Sequence, residues 1–225
     1  YLTNFVHGGV AHLSNNLIYY VFLMAVLLPL AVFADWKREF YVTSFFFMTV
    51  VPLIVSYYTV WTLQGTGVET AVGFSGVIAA YLGLLPILIF AFFQRVVSSN
   101  IRIHHALALI ALELAIIFFA LSGITTTVIS LGVLGILGLV LLWWDTRGDW
   151  GPLVSSPANL FLVFTTLLVF TYVSYSILVN TGPSVNVYGH LIGFVSGFMF
   201  PALISLVLDL RERFSQSNYQ LHLTA

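Results

Sequence analysis

The chain has 225 residues, 60% of them hydrophobic and only 7% charged, with a formal net charge of −1. A soluble domain carries about 25% charged residues, so a chain this apolar belongs in a bilayer and not in water. The near-zero charge leaves no electrostatic footprint for a nucleic acid. The absence of cysteine excludes disulfide frameworks, thiolate metal sites and cysteine nucleophiles.

A helix needs about 20 apolar residues to cross the hydrocarbon core. Stretches of that length fall near 12–34, 41–61, 73–93, 105–122, 125–144, 159–180 and 189–209. Read as one helix, 105–144 would be about 60 Å long, twice the thickness of the core. Ser122-Gly123 interrupts it, so two spans joined by a tight turn are expected. The chain is therefore an all-α polytopic membrane protein with seven transmembrane helices. One membrane domain covers 1–210 and a short tail covers 211–225. Beginning at Tyr1 just before a span, with no signal peptide visible, the sequence reads as a piece from which a first transmembrane helix is missing.

The basic residues give the orientation. Lys37 and Arg38 lie in the first connection, Arg95 and Arg102 in the third, Arg147 in the fifth, and Arg211 and Arg213 in the tail. Seven spans put all of them on one face, which the positive-inside rule makes cytoplasmic. The beginning of the chain, the connections 62–72 and 181–188 and the turn at Ser122 are then external, and the C-terminus is cytoplasmic.

Polar residues inside hydrocarbon are costly and usually have a reason. Three clusters stand out: His7 to Asn16, containing His12 four residues before Asn16; Gly73-Phe74-Ser75-Gly76; and Gly189-His190 followed by Gly193 and Gly197. Taken singly, each has an ordinary explanation. His and Asn at a span end cap helices or meet headgroups, and small-residue runs make helix-crossing faces. The topology joins them, because the first, third and seventh spans run in the same direction and each carries its cluster at its outer end. His190, Gly193 and Gly197 share one helix face, and Gly76, Ala79 and Gly83 follow Ser75. Packing these two small-residue faces would bring an imidazole to a hydroxyl.

A serine hydroxyl needs an adjacent base to become a nucleophile, and His190 can supply it. With no Asp or Glu close in sequence on either helix, the pair reads as a dyad. His12, the Asn16 amide and the Ser75 backbone N–H are candidate donors for an oxyanion, the last at a helix N-terminus.

His7…His12…Asn16, Gly73-Phe74-Ser75-Gly76 and His190…Gly193…Gly197 resemble, in order, spacing and leaflet, the motifs of the rhomboid intramembrane serine proteases. The resemblance runs from His7 to about Leu208 with one interruption. It implies a rhomboid-like helical bundle with Ser75 and His190 as the catalytic dyad and His12, Asn16 and Ser75 lining the oxyanion hole. His7 would be a structural hydrogen-bonding residue, and Gly73, Gly76, Gly193 and Gly197 would shape the site. It further implies cleavage of other proteins' transmembrane segments in the lipid bilayer, with no metal and no cofactor. The expected place is the plasma membrane of a prokaryote, with the site toward the external face. A catalytically silent rhomboid-like protein that binds membrane clients is the alternative, although such relatives usually lack the serine or the histidine. A small transporter would show buried charges and paired broken helices, for which Glu113 alone is thin support.

Three departures accompany the resemblance. The family's first helix is absent from this sequence. The family's aromatic residue four positions after the serine is Ala79 here, and a ring from a neighbouring helix, with Phe194 and Tyr81 as candidates, is expected to fill the gap beside His190. Three spans separate the serine and histidine helices where the basic family core has one, so 105–144 is expected to be an inserted hairpin beside the core and 159–180 the gate-like helix. Glu113 falls in mid-span, away from the site, and reads as a packing residue. His104 and His105 read as interfacial, as do Trp143, Trp144 and Trp150.

Overall fold

The computed structural model describes residues 9–64, 73–180 and 186–204. Among them the fold is entirely helical, with α1 (Val10–Phe33), α2 (Lys37–Thr49), α3 (Val51–Leu63), α4 (Ser75–Val96), α5 (Ile103–Ser122), α6 (Thr126–Thr146), α7 (Gly151–Val154) and α8 (Pro157–Ser174). A π turn, Tyr175–Val179, continues α8, and α9 runs over Val187–Ile204. Seven of the resulting segments are long and apolar enough to cross a membrane, with α2 and α3 forming one between them. Their bounds follow the expected spans to within a few residues, except that the expected end of the last span, near 209, lies outside the described residues. Pro52 at the start of α3 lacks the N–H that an unbroken α2–α3 helix would need there.

Local chemistry sets the ends. The turn between α5 and α6 pairs Gly123, at a φ of 70° that favours glycine, with Thr125, whose hydroxyl accepts a hydrogen bond from the Val128 N–H at 3.3 Å. The break expected at Ser122-Gly123 is therefore present. Ser156 caps α8 in the same way, accepting from the Asn159 N–H at 3.3 Å.

The bundle is built around α4. All of its most apolar stretch is buried, against 11% for α6. α1, α2, α3, α5 and α8 all pack on it. The helix pair α5–α6 packs tightly because Gly135 and Gly138 face Leu112 and Ala108, where a Cβ would collide. α5 touches α4 and the π turn, and α6 leans on α5. The pair thus stands at the flank of the bundle.

α1 and α4 run parallel, so their C-terminal ends meet through the Phe33 and Phe92 rings at 6.5 Å. Near the same end Phe93 meets Trp150 at 5.5 Å, and Asn100 donates to the Asp145 carbonyl at 3.4 Å. Lys37, Arg38, Arg95, Arg102 and Arg147 therefore gather at the end opposite the N-termini of α1 and α4. His105 belongs to this end too, but it is not interfacial. Its ring is buried, accepts from the Arg102 N–H at 3.0 Å and meets the Asp145 carboxylate at 3.0 Å, closing the base of the α5–α6 pair. The His104 side chain lies outside the described residues. Trp143 and Trp144 are exposed, as an interfacial belt requires.

Candidate active site

Ser75 is the first residue of α4, and its backbone N–H is one of the four at a helix start with no intrahelical acceptor. Gly73, two residues earlier, has a φ of 129°, a region that side chains disfavour. Its missing side chain also makes room: a Cβ there would lie 2.7 Å from His12 Cε1 and 3.7 Å from Ser75 Oγ. The His12 ring and the Ser75 hydroxyl thus flank Gly73, and the first polar cluster meets the second.

The third cluster arrives through a helix crossing made of absent side chains. A Cβ on Gly193 would collide with the Gly76 carbonyl oxygen, one on Gly197 with the Ala80 carbonyl, and one on Gly83 with the Phe194 carbonyl. α4 and α9 therefore touch backbone to backbone, as the two small-residue faces led one to expect. Gly76 uses its other flank for α3, where a Cβ would sit 2.8 Å from Val55 Cγ1.

This crossing places His190 against Ser75. His190 Nε2 lies 2.7 Å from Ser75 Oγ, and His190 Nδ1 lies 2.5 Å from the Ile177 carbonyl oxygen. A carbonyl can only accept, so Nδ1 carries the proton and donates it, and Nε2 is the acceptor for the serine O–H. The imidazole is held in the one tautomer that leaves Nε2 basic toward the hydroxyl. The second bond, to a main-chain oxygen, fixes the orientation of the ring. Ile177 lies in the π turn that ends α8, where helix carbonyls run out of intrahelical donors. A π turn inside a helix often marks a functional position.

Asn16 is one helical turn beyond His12 on the same face of α1. It is buried at 3% exposure, and its Nδ2 has no hydrogen-bond partner. An unsatisfied buried amide donor is costly and calls for an explanation. Its N–H groups are free to donate to a group from outside the chain.

Compared with family models, with curated proteins and with solved structures, the chain gave no match. The reading of the site therefore rests on its own geometry.

The geometry brings together Ser75, His190, His12, Gly73, Gly76, Gly193 and Gly197. His7 lies outside the described residues. Ala79 and Phe194 both lie buried at the α4–α9 crossing. Ala79 is fully buried, and its Cβ sits 3.3 Å from where a Gly193 Cβ would be. Gly193 thus permits a close helix approach beside Ala79. Tyr81 is engaged elsewhere, edge-on to Phe47 at 5.0 Å and to Tyr20 at 5.6 Å.

Two contributors escape a reading by motif. The Ile177 carbonyl is main chain and leaves no trace in residue type. Asn186 caps α9, since its Oδ1 accepts from the Gly189 N–H at 3.2 Å, while its Nδ2 donates to Thr59 Oγ1 of α3 at 3.2 Å. An Asn three residues ahead of Gly189, at the mouth of an apolar run, is an N-cap signal that could have pointed to it.

Proposed function

We propose that this chain is an intramembrane serine endopeptidase of the rhomboid type, cleaving transmembrane segments of other proteins with a Ser75–His190 dyad. The observation that carries this reading is the 2.7 Å hydrogen bond from the Ser75 hydroxyl to an imidazole whose far nitrogen is fixed on the Ile177 carbonyl. The pair joins residues 115 positions apart at the N-terminal ends of two helices, where an inert protein has no reason to build it.

In the reaction, Ser75 Oγ attacks the scissile carbonyl as its proton passes to His190 Nε2. The tetrahedral oxyanion is met by the Asn16 amide, His12 and the Ser75 N–H. The C–N bond then breaks and Nε2 returns the proton to the departing amine. A water, deprotonated by the same nitrogen, attacks the acyl-enzyme and releases the new carboxylate and Ser75. The Ile177 carbonyl stabilises the imidazolium formed in each half but accepts no proton, so it orients without competing as a base.

The basic residues at the other end support an orientation with the site toward the external face and the C-terminus in the cytoplasm. The substrate class follows from the location, since a serine set among membrane-spanning helices meets other spans before it meets soluble chains.

The test is covalent labelling with a fluorophosphonate, followed by mass spectrometry. Wild-type protein should be modified at Ser75, and both Ser75→Ala and His190→Ala should abolish labelling and cleavage of a reconstituted transmembrane substrate. Cleavage at the wild-type rate in either variant, at equal protein levels, rejects the dyad. A protein that binds membrane clients without cutting them would show no labelling at all.

A further inference from the structure

Ser75 follows a turn whose N-cap residue, Phe74, makes no side-chain hydrogen bond to the first turn of α4. A Ser, Thr, Asn or Asp in that place would hold the free N–H groups and with them the direction of the chain. Gly73, at a φ of 129°, has no side chain to anchor the turn either. Of the two residues leading into Ser75, only Phe74 can do so, and it has to do it by packing. Its ring lies edge-on to Tyr20 of α1, with centroids 5.9 Å apart and planes at 69°. Tyr20 lies edge-on to Tyr81 of α4 at 5.6 Å, and Tyr81 to Phe47 of α2 at 5.0 Å. Each pair has the edge-to-face geometry in which aromatic rings attract beyond the area they bury. Tyr81 and Phe47 are fully buried, so one end of this row of rings is fixed in the core. The other end is the residue next to the nucleophile.

Tyr20 also follows Asn16 by one helical turn, as Asn16 follows His12, so the three share a side of α1. The His12 ring stands against Gly73. The same helix thus meets the turn at Gly73 through His12 and at Phe74 through Tyr20.

We propose that Tyr20 is a positioning residue for Ser75, acting through the Phe74 ring. It ties the turn that carries the nucleophile to the helix that carries His12 and Asn16, and so keeps hydroxyl and oxyanion donors in register. The inference rests on the reading of Ser75 and His190 as a dyad, but it makes a claim about the Ser75–His190 hydrogen bond that can be measured without turnover. Loss of the Tyr20 ring should slow the chemical step and leave affinity alone.

The experiment uses the whole chain in detergent micelles, labelled with ¹⁵N-histidine. The resonance of His190 Nε2, which accepts the Ser75 hydroxyl at 2.7 Å, is assigned by its loss in His190→Ala and its shift in Ser75→Ala. In parallel, the maximal rate of Ser75 phosphonylation and the half-saturating fluorophosphonate concentration are measured. Tyr20→Leu should move the resonance toward its position in Ser75→Ala. It should lower the maximal rate about tenfold, the scale expected of a small misplacement of a reacting group, at an unchanged half-saturating concentration. Phe74→Leu should act in the same direction, and the double variant should be no worse than the more affected single one. Tyr20→Phe, which keeps the ring, should stay within about threefold of wild type. Phe33→Leu is the control for lost packing, because it removes a ring between the same two helices at their other end, where Phe33 meets Phe92 at 6.5 Å. Its resonance and rate should match wild type. An unmoved resonance or an unchanged rate in Tyr20→Leu overturns the proposal, as does a Tyr20→Phe or a Phe33→Leu as slow as Tyr20→Leu. If Tyr20→Leu does not fold, Phe74→Leu and Tyr20→Phe decide by the same criteria. If wild-type Ser75 never reacts, the protease reading fails, and the resonance alone judges the positioning claim.

Discussion

Gly193 of α9 lies against the carbonyl oxygen of Gly76 in α4, so close that any Cβ would collide with it. The serine and histidine stand at the mouth of that crossing, so their 2.7 Å separation is set by two residues that have no side chain. Gly193→Ala should push α9 away and slow Ser75 phosphonylation at least tenfold. It should also lower stability by about 1–3 kcal/mol, the usual cost of overpacking. Gly132→Ala is the control, since a Cβ there meets nothing within 4 Å and alanine is the better helix former. Equal labelling rates in the two variants would remove the crossing from the account of the site.

The contrast between side chains and main chain explains how much of this was legible in the sequence. Ser75, His190, Gly193 and Gly197 could be joined because helix periodicity and a count of spans placed them on facing surfaces at one end. The spans themselves followed from apolar length, and the break at Gly123 from a helix too long for the bilayer. The partner of His190 Nδ1 could not be read in the same way. A backbone carbonyl belongs to every residue, and only the π turn ending α8 singles out Ile177. Ala79 is a related case: a small residue in place of a ring reads as a gap, whereas the close approach of α9 at Gly193 is a tertiary contact that residue type alone does not announce. His105 was misplaced because its partner Asp145 is 40 residues away and nothing local announces the pair.

Asn16 offers a test in which stability and activity part. Its buried Nδ2 is unpaired in the resting protein, so Asn16→Ala removes a group that is a burden to the fold. Thermal stability should stay within about 1 kcal/mol of wild type. If Asn16 is the oxyanion donor proposed above, its loss should lower kcat by about 10²-fold, with KM little changed, because such a donor acts on charge that exists only in the transition state. A variant that turns over normally would make Asn16 purely structural.

Asn186 reaches the site only through the start of α9. Replacing it with alanine removes both the cap on the Gly189 N–H and the bond to Thr59. Loss of an N-cap costs about 1 kcal/mol, and fraying here frees the turn that carries His190. Asn186→Ala should therefore slow phosphonylation, while Asn186→Asp, which keeps the acceptor, should retain most of the rate. Thr59→Ala should lie between them. Labelling kinetics of the three variants, ranked differently from this order, would count against the cap as the relevant contact.

Ala79 gives the sharpest contrast between a reading by family pattern and one by packing. The pattern invites Ala79→Tyr, which would restore a ring beside the His190 imidazole and raise activity. The packing argues the reverse. Ala79 is fully buried, and its Cβ already stands 3.3 Å from the place a Gly193 Cβ would take. A tyrosine there has to displace α9 or turn into the buried core around α4. Overpacking of this kind costs about 1–3 kcal/mol or more, and displacement of α9 separates Nε2 from Oγ directly. Ala79→Tyr should thus lose Ser75 labelling and melt at a lower temperature, whereas Ala79→Ser, nearly isosteric, should keep both. The measurement is phosphonylation rate beside a thermal melt of the same purified sample. An Ala79→Tyr protein that labels faster than wild type would mean that α9 can yield to a ring, and that its contact with α4 is softer than two touching backbones allow.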